Sequence, residues 1–99
     1  MSSRGCAWVV YIVRCADATL YTGIAKDVSR RVEEHNSSNV LAANYTRARR
    51  PVVLVHQEMT ATRSTAGKRE HEIKRMTRLE KEALILAAAR PRKRAQRSK

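Results

Sequence analysis

Phenylalanine is absent from this chain, and its only large rings are Trp8, Tyr11, Tyr21 and Tyr45. A core must therefore be filled by Val, Ile, Leu and Ala, and each aromatic needs a reason of its own. Cysteine is scarce as well: Cys6 and Cys15 are too few for the disulfide scaffold of a small secreted domain. The two could face each other across a hairpin, while a reduced pair fits the cytoplasm. They form no zinc-binding spacing with any nearby histidine. No apolar run approaches the ~18 residues that a membrane span requires. Residues 7–13 are apolar but lack the flanks and cleavage site of a secretory signal. A cytoplasmic location, nucleoid association included, with no membrane partner is expected.

Acidic residues are the other shortage. Nine Asp and Glu face 21 Lys and Arg, giving a net charge of +12. Six of the bases (Arg90, Arg92, Lys93, Arg94, Arg97 and Lys99) fall in the last ten residues, which carry no acid. Without them the body keeps 15 bases against 9 acids and is still basic. Such a field attracts polyanions, of which nucleic acid is the commonest inside cells. A chain of 99 residues makes one domain. At this size only about 60–65% of the unfolded surface is buried, so the core must be compact.

The β-branched and aromatic run 7–14 (AWVVYIVR) reads as a strand, 16–19 as a turn, and 20–25 (LYTGIA) as a second strand completing a hairpin. Asp27 is a candidate N-cap for a helix through Asn36, with Val28, Arg31, Val32 and His35 at helical spacing. Residues 37–50 show no periodicity and are expected to form a loop. A third strand is expected over 51–58, with Pro51 at its start, where a missing N–H is tolerated. Thr62 or Ser64 opens a second helix to about Met76. Thr77-Arg-Leu-Glu80 is a capping box for a third, which reaches about Ala89 and is stopped by Pro91. The expected order is β-β-α-β-α-α: an α/β (α+β) fold with a small mixed or antiparallel three-stranded sheet flanked by helices. Residues 1–89 form the expected domain, and 90–99 have the composition of a disordered basic arm.

Val9-Val10-Tyr11 precedes Tyr21-Thr22-Gly23 by ten residues, which sets two tyrosines on adjacent strands. In Arg30-Arg31-Val-Glu-Glu-His35-Asn36, Arg31 and His35 are four apart and share a helix face. Glu70 lies on a later helix. This ordered set resembles the GIY-YIG endonuclease superfamily, above all its small stand-alone bacterial members, from about Trp8 to Ile85. The two tripeptides stand for the signature motifs, the Arg31 segment for the arginine helix, and Glu70 for the metal-binding glutamate. Asn44-Tyr45-Thr46-Arg47 and Arg50-Pro51-Val52 resemble the middle segment of the small members.

The resemblance implies hydrolysis of a DNA phosphodiester with one Mg²⁺ or Mn²⁺ ion held by Glu70, and DNA is expected over RNA. Such an ion supplies positive charge where negative charge develops. Arg31 offers a planar donor fork to the non-bridging oxygens. Tyr11 is the candidate base toward the attacking water; its ordinary pKa of about 10 calls for a nearby cation. Tyr21 orients the water or the phosphate, and His35, where several members carry tyrosine, assists in proton transfer. Expected substrate contacts are Gly23, Lys26, Arg30, Asn36, Arg47 and Lys74. Some members place a lysine after the second signature, where this chain has Ile24, so Lys26 or an arginine must serve instead. Gly23 permits close approach beside the tyrosine.

Each residue has a plainer reading. The tyrosines could be sheet packing, Arg31 and His35 a solvated helix face, and Glu70 an i,i+4 partner of Lys74 worth ~0.3–0.5 kcal/mol. Trp8 fits the core or an edge-strand cap, and His56 and His71 fit packing or surface. The rival function is a nucleic-acid-binding module on a nuclease-like scaffold with weak or no catalysis. The chain is expected to act as a monomer or weak homodimer.

Overall fold

The computed structural model describes residues 8–38 and 44–89; Cys6 and the basic segment 90–99 lie outside them. Strand β1 (Trp8–Arg14) is the middle strand of an antiparallel sheet. On one side it pairs with β2 (Leu20–Ala25) and on the other with β3 (Val53–Thr60). Its position explains its composition. A strand covered on both faces reads as a continuous apolar run, and Val9 through Val13 are all buried. Val9, Tyr11 and Val13 face one layer, which includes Val28 and Val32 of helix α1 (Val28–Ser37). Val10 and Ile12 face the opposite layer, with Ala66 and Ile73 of α3 (Arg63–Lys74) and Ile85 of α4 (Arg78–Ala89).

Local signals set most boundaries. Asp27 caps α1 by accepting from the Arg30 N–H at 3.1 Å. Thr62, one of two candidates, caps α3 by accepting from Thr65 N at 3.0 Å. The Thr77–Glu80 box closes in both directions, at 2.8 and 3.1 Å. In the hairpin turn Ala18 takes φ 71°, while Asp17 accepts from Thr19 N and Oγ1. Helix α4 is tied to β1 by a two-bond pair from Arg14 to Glu82, both bonds 2.8 Å, which pulls the Glu82 carboxyl down to about 2.

Two expectations change. The segment expected to be a loop contains a helical turn, α2 (Asn44–Arg47). Four residues are too few to show a helical period, and what anchors them is the buried side chain of Thr46. The third strand starts at Val53 instead of residue 51. The reason is Asn36: its Oδ1 accepts from Val52 N at 2.7 Å and its Nδ2 donates to Val52 O at 3.0 Å. That backbone is committed to α1 before the sheet ladder begins. A bulge follows, in which Val13 pairs with Leu54 and Ile12 with His56.

Gly67 lies within α3, and a Cβ added there would meet nothing within 4 Å. Gly67→Ala should therefore stabilise the fold by about 0.5–1 kcal/mol through helix propensity, measured by urea denaturation.

Candidate active site

Register places the two phenols. Tyr11 pairs with Gly23 and Val13 with Tyr21, so all four residues point to the face that α1 covers. The Tyr11 ring leans across the strand onto Gly23. A Cβ built at Gly23 would stand 2.6 Å from the Tyr11 hydroxyl oxygen and 2.8 Å from Cζ. Gly23 has no positive φ, so space for the phenol is what requires it.

Helix α1 brings the next two groups. His35 is fully buried, with Nε2 2.9 Å from the Tyr11 oxygen and Nδ1 2.7 Å from Thr46 Oγ1. Burial, aided by the charges of Arg31 and Arg50 and opposed by Glu34, lowers its pKa to about 4. The ring is thus neutral near pH 7, with one nitrogen donating and the other accepting. One turn earlier, Arg31 donates to Glu34 Oε1 at 3.0 Å and reaches the Tyr11 hydroxyl. Burial works against its charge, and Glu34 and Tyr11 more than offset that, so its pKa is raised. Tyr11 itself is raised to about 12, by burial first and then by Tyr21, against the lowering effect of Arg31.

The Tyr21 ring completes the wall. It meets His35 edge-on at 5.4 Å and stacks on Tyr45 at 5.8 Å. The Arg49 guanidinium lies over Tyr45 at 4.0 Å and is itself paired with Asp17 at 3.1 Å. Arg50 donates from Nε to the carbonyl of His35 at 2.6 Å, which fixes the end of α1.

Glu70 approaches from the other layer, since α3 packs against the opposite face of the sheet from α1. Arg69 sets the rotation of that helix by bonding Glu58 at 2.7 and 3.1 Å and Glu72 at 2.9 Å. The Glu70 carboxylate raises the Tyr11 pKa, as the smallest of five influences on it. Its side chain is 24% exposed and pairs with Lys74 at 3.2 Å. Among the described residues no three His, Cys, Asp or Glu converge as a metal-binding group. An ion at Glu70 would complete its shell with water and phosphate oxygens, the common arrangement for Mg²⁺, and a partly exposed lone carboxylate fits that need.

The remaining expected contacts divide. Arg30 is exposed and pairs loosely with Glu34 at 3.3 Å, Arg47 is exposed on α2, and Lys74 is bound to Glu70. Asn36 spends both ends of its amide on Val52 and clamps α1 to the approach to β3. Lys26 lies over the Trp8 ring at 5.2 Å, so the cation acting on the Tyr11 phenol is Arg31. Thr46, Tyr45 and Arg50 were given no role by sequence reasoning. The middle-segment resemblance pointed at their neighbourhood, but only folding shows that Thr46 holds His35.

Paired phenols, a guanidinium and a neutral imidazole thus share one face of a small three-stranded sheet. The chain belongs to the GIY-YIG family: the GIY-YIG catalytic domain model matches residues 7–83. It is 54% identical over 82 residues to a UPF0213 protein of Desulfotalea psychrophila, spanning 83% of this chain and 74% of that one. It is 59% identical over 76 residues to a UPF0213 protein of Staphylococcus aureus, spanning 77% and 90%. Among solved structures, the solution NMR structure of a UPF0213 protein from Bacillus halodurans shares 35% identity at a TM-score of 0.55, over 86% of this chain and 88% of that one. A second NMR structure, from E. faecalis, gives 32% and 0.56, over 86% and 90%.

Gly23→Ala should displace the phenol and cost about 1–3 kcal/mol of stability through overpacking. A crystal structure of that variant should show Tyr11 moved away from His35. His35 should stay neutral on acidification until about pH 4, followed by NMR of its ring protons. Its folded pKa lies below the unfolded value of about 6.5. The unfolded chain therefore takes up a proton between about 6.5 and about 4 that the native state refuses, and stability falls across that window as pH drops.

Proposed function

We propose that this domain is a divalent-metal-dependent endonuclease that hydrolyses phosphodiester bonds in DNA, with roles in repair or recombination on branched, flapped or damaged structures. The observation that supports this reading best is the buried contact between the Tyr11 hydroxyl and a neutral His35. Any buried phenol needs a hydrogen-bond partner, and this one is an imidazole, which can also take up the phenolic proton. A phenol whose pKa stands at about 12 cannot take a proton near pH 7 unless it gives up its own.

In this reading His35 is the outlet, and negative charge building on the phosphate offsets the burial that holds the imidazole pKa at about 4. With Nδ1–H donated to Thr46, Nε2 of His35 accepts from Tyr11. As water attacks phosphorus, its proton passes to the Tyr11 oxygen while the phenolic proton moves to His35 Nε2. The bond to the leaving oxygen breaks, and that oxygen takes a proton from solvent. Arg31, beside the phenol, donates to the non-bridging oxygens as charge builds on them. Tyr21, held by Tyr45 and His35, orients the water or phosphate through its hydroxyl. A divalent ion bound through Glu70, Mg²⁺ or Mn²⁺, would polarise the phosphate and lower the pKa of bound water.

The rival reading, a binding module with a nuclease-like fold, has no use for the proton relay. Purified protein should be incubated with plasmid, single-stranded and branched DNA, and RNA, with Mg²⁺ or Mn²⁺. Tyr11→Phe and Glu70→Ala should each reduce cutting by about 10²–10⁴-fold while leaving salt-sensitive binding nearly unchanged. Cutting that persists in both variants would refute this assignment of the site.

A further inference from the structure

Trp8, the chain's only tryptophan, stands half-buried at the start of β1 and takes no part in the chemistry above. Two cations converge on its ring: Lys26 Nζ at 5.2 Å and the Arg63 guanidinium carbon at 5.5 Å from the centroid. They lie no more than about 11 Å apart. Both are exposed. Among the described residues neither has an acidic partner, although nine other ion pairs form there. The nearest carboxylate in sequence, Asp27, is engaged in capping α1.

The fold has little to gain from this arrangement. Arg63 occupies the first turn of α3, which carries no acid, so its charge opposes the positive end of the helix. Lys26 and Arg63 also repel each other across the indole. Both penalties are relieved by an anion bridging the two cations.

The patch lies on the face of the sheet that α3 covers: Trp8 packs in that layer, and Lys26, three residues beyond Gly23 and over the Trp8 ring, is turned away from the Tyr11 phenol. Arg63 lies seven residues before Glu70 on the same face of α3, about 10 Å along the helix. Helix α3 thus leads from the expected metal-binding carboxylate to the patch. A nucleic-acid strand carries a phosphate per 3.4 Å of duplex axis, so this span corresponds to about three phosphates.

We propose that Trp8, Lys26 and Arg63 form a second phosphate-binding site that grips the nucleic-acid strand about three nucleotides from the scissile bond. The indole holds the two cations in place by cation–π contact. The proposal rests on the nuclease reading for the nature of its ligand.

Trp8 fluorescence reads this patch directly. The full chain carrying Tyr11→Phe, titrated with oligothymidylates of increasing length, should show a saturable change in that signal. Adding Lys26→Gln and Arg63→Gln should weaken binding about tenfold at low salt. It should also flatten the log–log salt slope by about 1.4, the amount for two phosphate contacts on a single strand. The thermal midpoint of the Arg63→Gln variant should not fall. Unchanged affinity and slope in the double variant would overturn the proposal. So would a Trp8 response to phosphatidylglycerol vesicles with none to oligonucleotide. If the patch binds as described while the unsubstituted chain cuts nothing, the strand contact stands and the nuclease reading fails.

Discussion

The hydroxyl of Tyr11 is where the separate parts of this structure meet. It rests on the bare backbone of Gly23, faces His35 Nε2 at 2.9 Å, and is reached by Arg31. The histidine is held in turn by Thr46 at 2.7 Å. Two strands, the long helix α1 and the short turn α2 are thus fixed against one another by a polar chain inside an apolar layer. Burying such groups is unfavourable unless each finds a partner, and in a low-dielectric setting each bond of a complete chain is stronger than in water. The arrangement is consequently intolerant of shape changes: Gly23 cannot grow and α2 cannot drift without leaving a buried donor or acceptor unmatched.

The same burial controls the charge states. It raises Tyr11 and lowers His35, so both rest neutral near pH 7. Arg31 partly counters the effect on the phenol and adds to the effect on the imidazole. A neutral phenol hydrogen-bonded to a neutral imidazole, with a permanent cation at hand, holds a proton path without a charge on either ring at rest. In the proposed mechanism that is the service the core performs. The carboxylate is kept outside it, on a helix that packs against the other face and is oriented by Arg69. The Glu70 side chain keeps 24% exposure, which leaves the lone acid accessible to solvent ions.

How much of this was legible in sequence follows from the range of each interaction. The hairpin spacing placed Tyr11 and Tyr21 on adjacent strands, and four-residue spacing put Arg31 and His35 on one helix face. Both are consequences of strand and helix periods. The Thr77–Glu80 box and the Asp27 cap are contained within three residues and formed as their sequences indicate. By contrast, Asn36, the last residue of the segment that resembles the arginine helix, gives its amide to a distant strand approach. Its partner, Val52, is 16 residues away, and nothing local marks the pair. The helical turn at 44–47 was likewise invisible: four residues carry no period, and its anchor is a histidine 11 positions upstream.

By itself, then, the sequence determined the three strands and the three longer helices, the order in which they follow, the basic field around them, and which side chains have the chemistry for phosphate. Those properties arise from neighbours along the chain and from composition. Only the tertiary structure decided that the Tyr11 hydroxyl meets His35 Nε2, that Thr46 is the histidine's second partner, and that Lys26 stands over Trp8 away from the phenols. Each of these depends on the angle at which α1, α2 and α3 settle on the sheet. That angle is set by packing among residues far apart in sequence, where no repeat or local signal can register it.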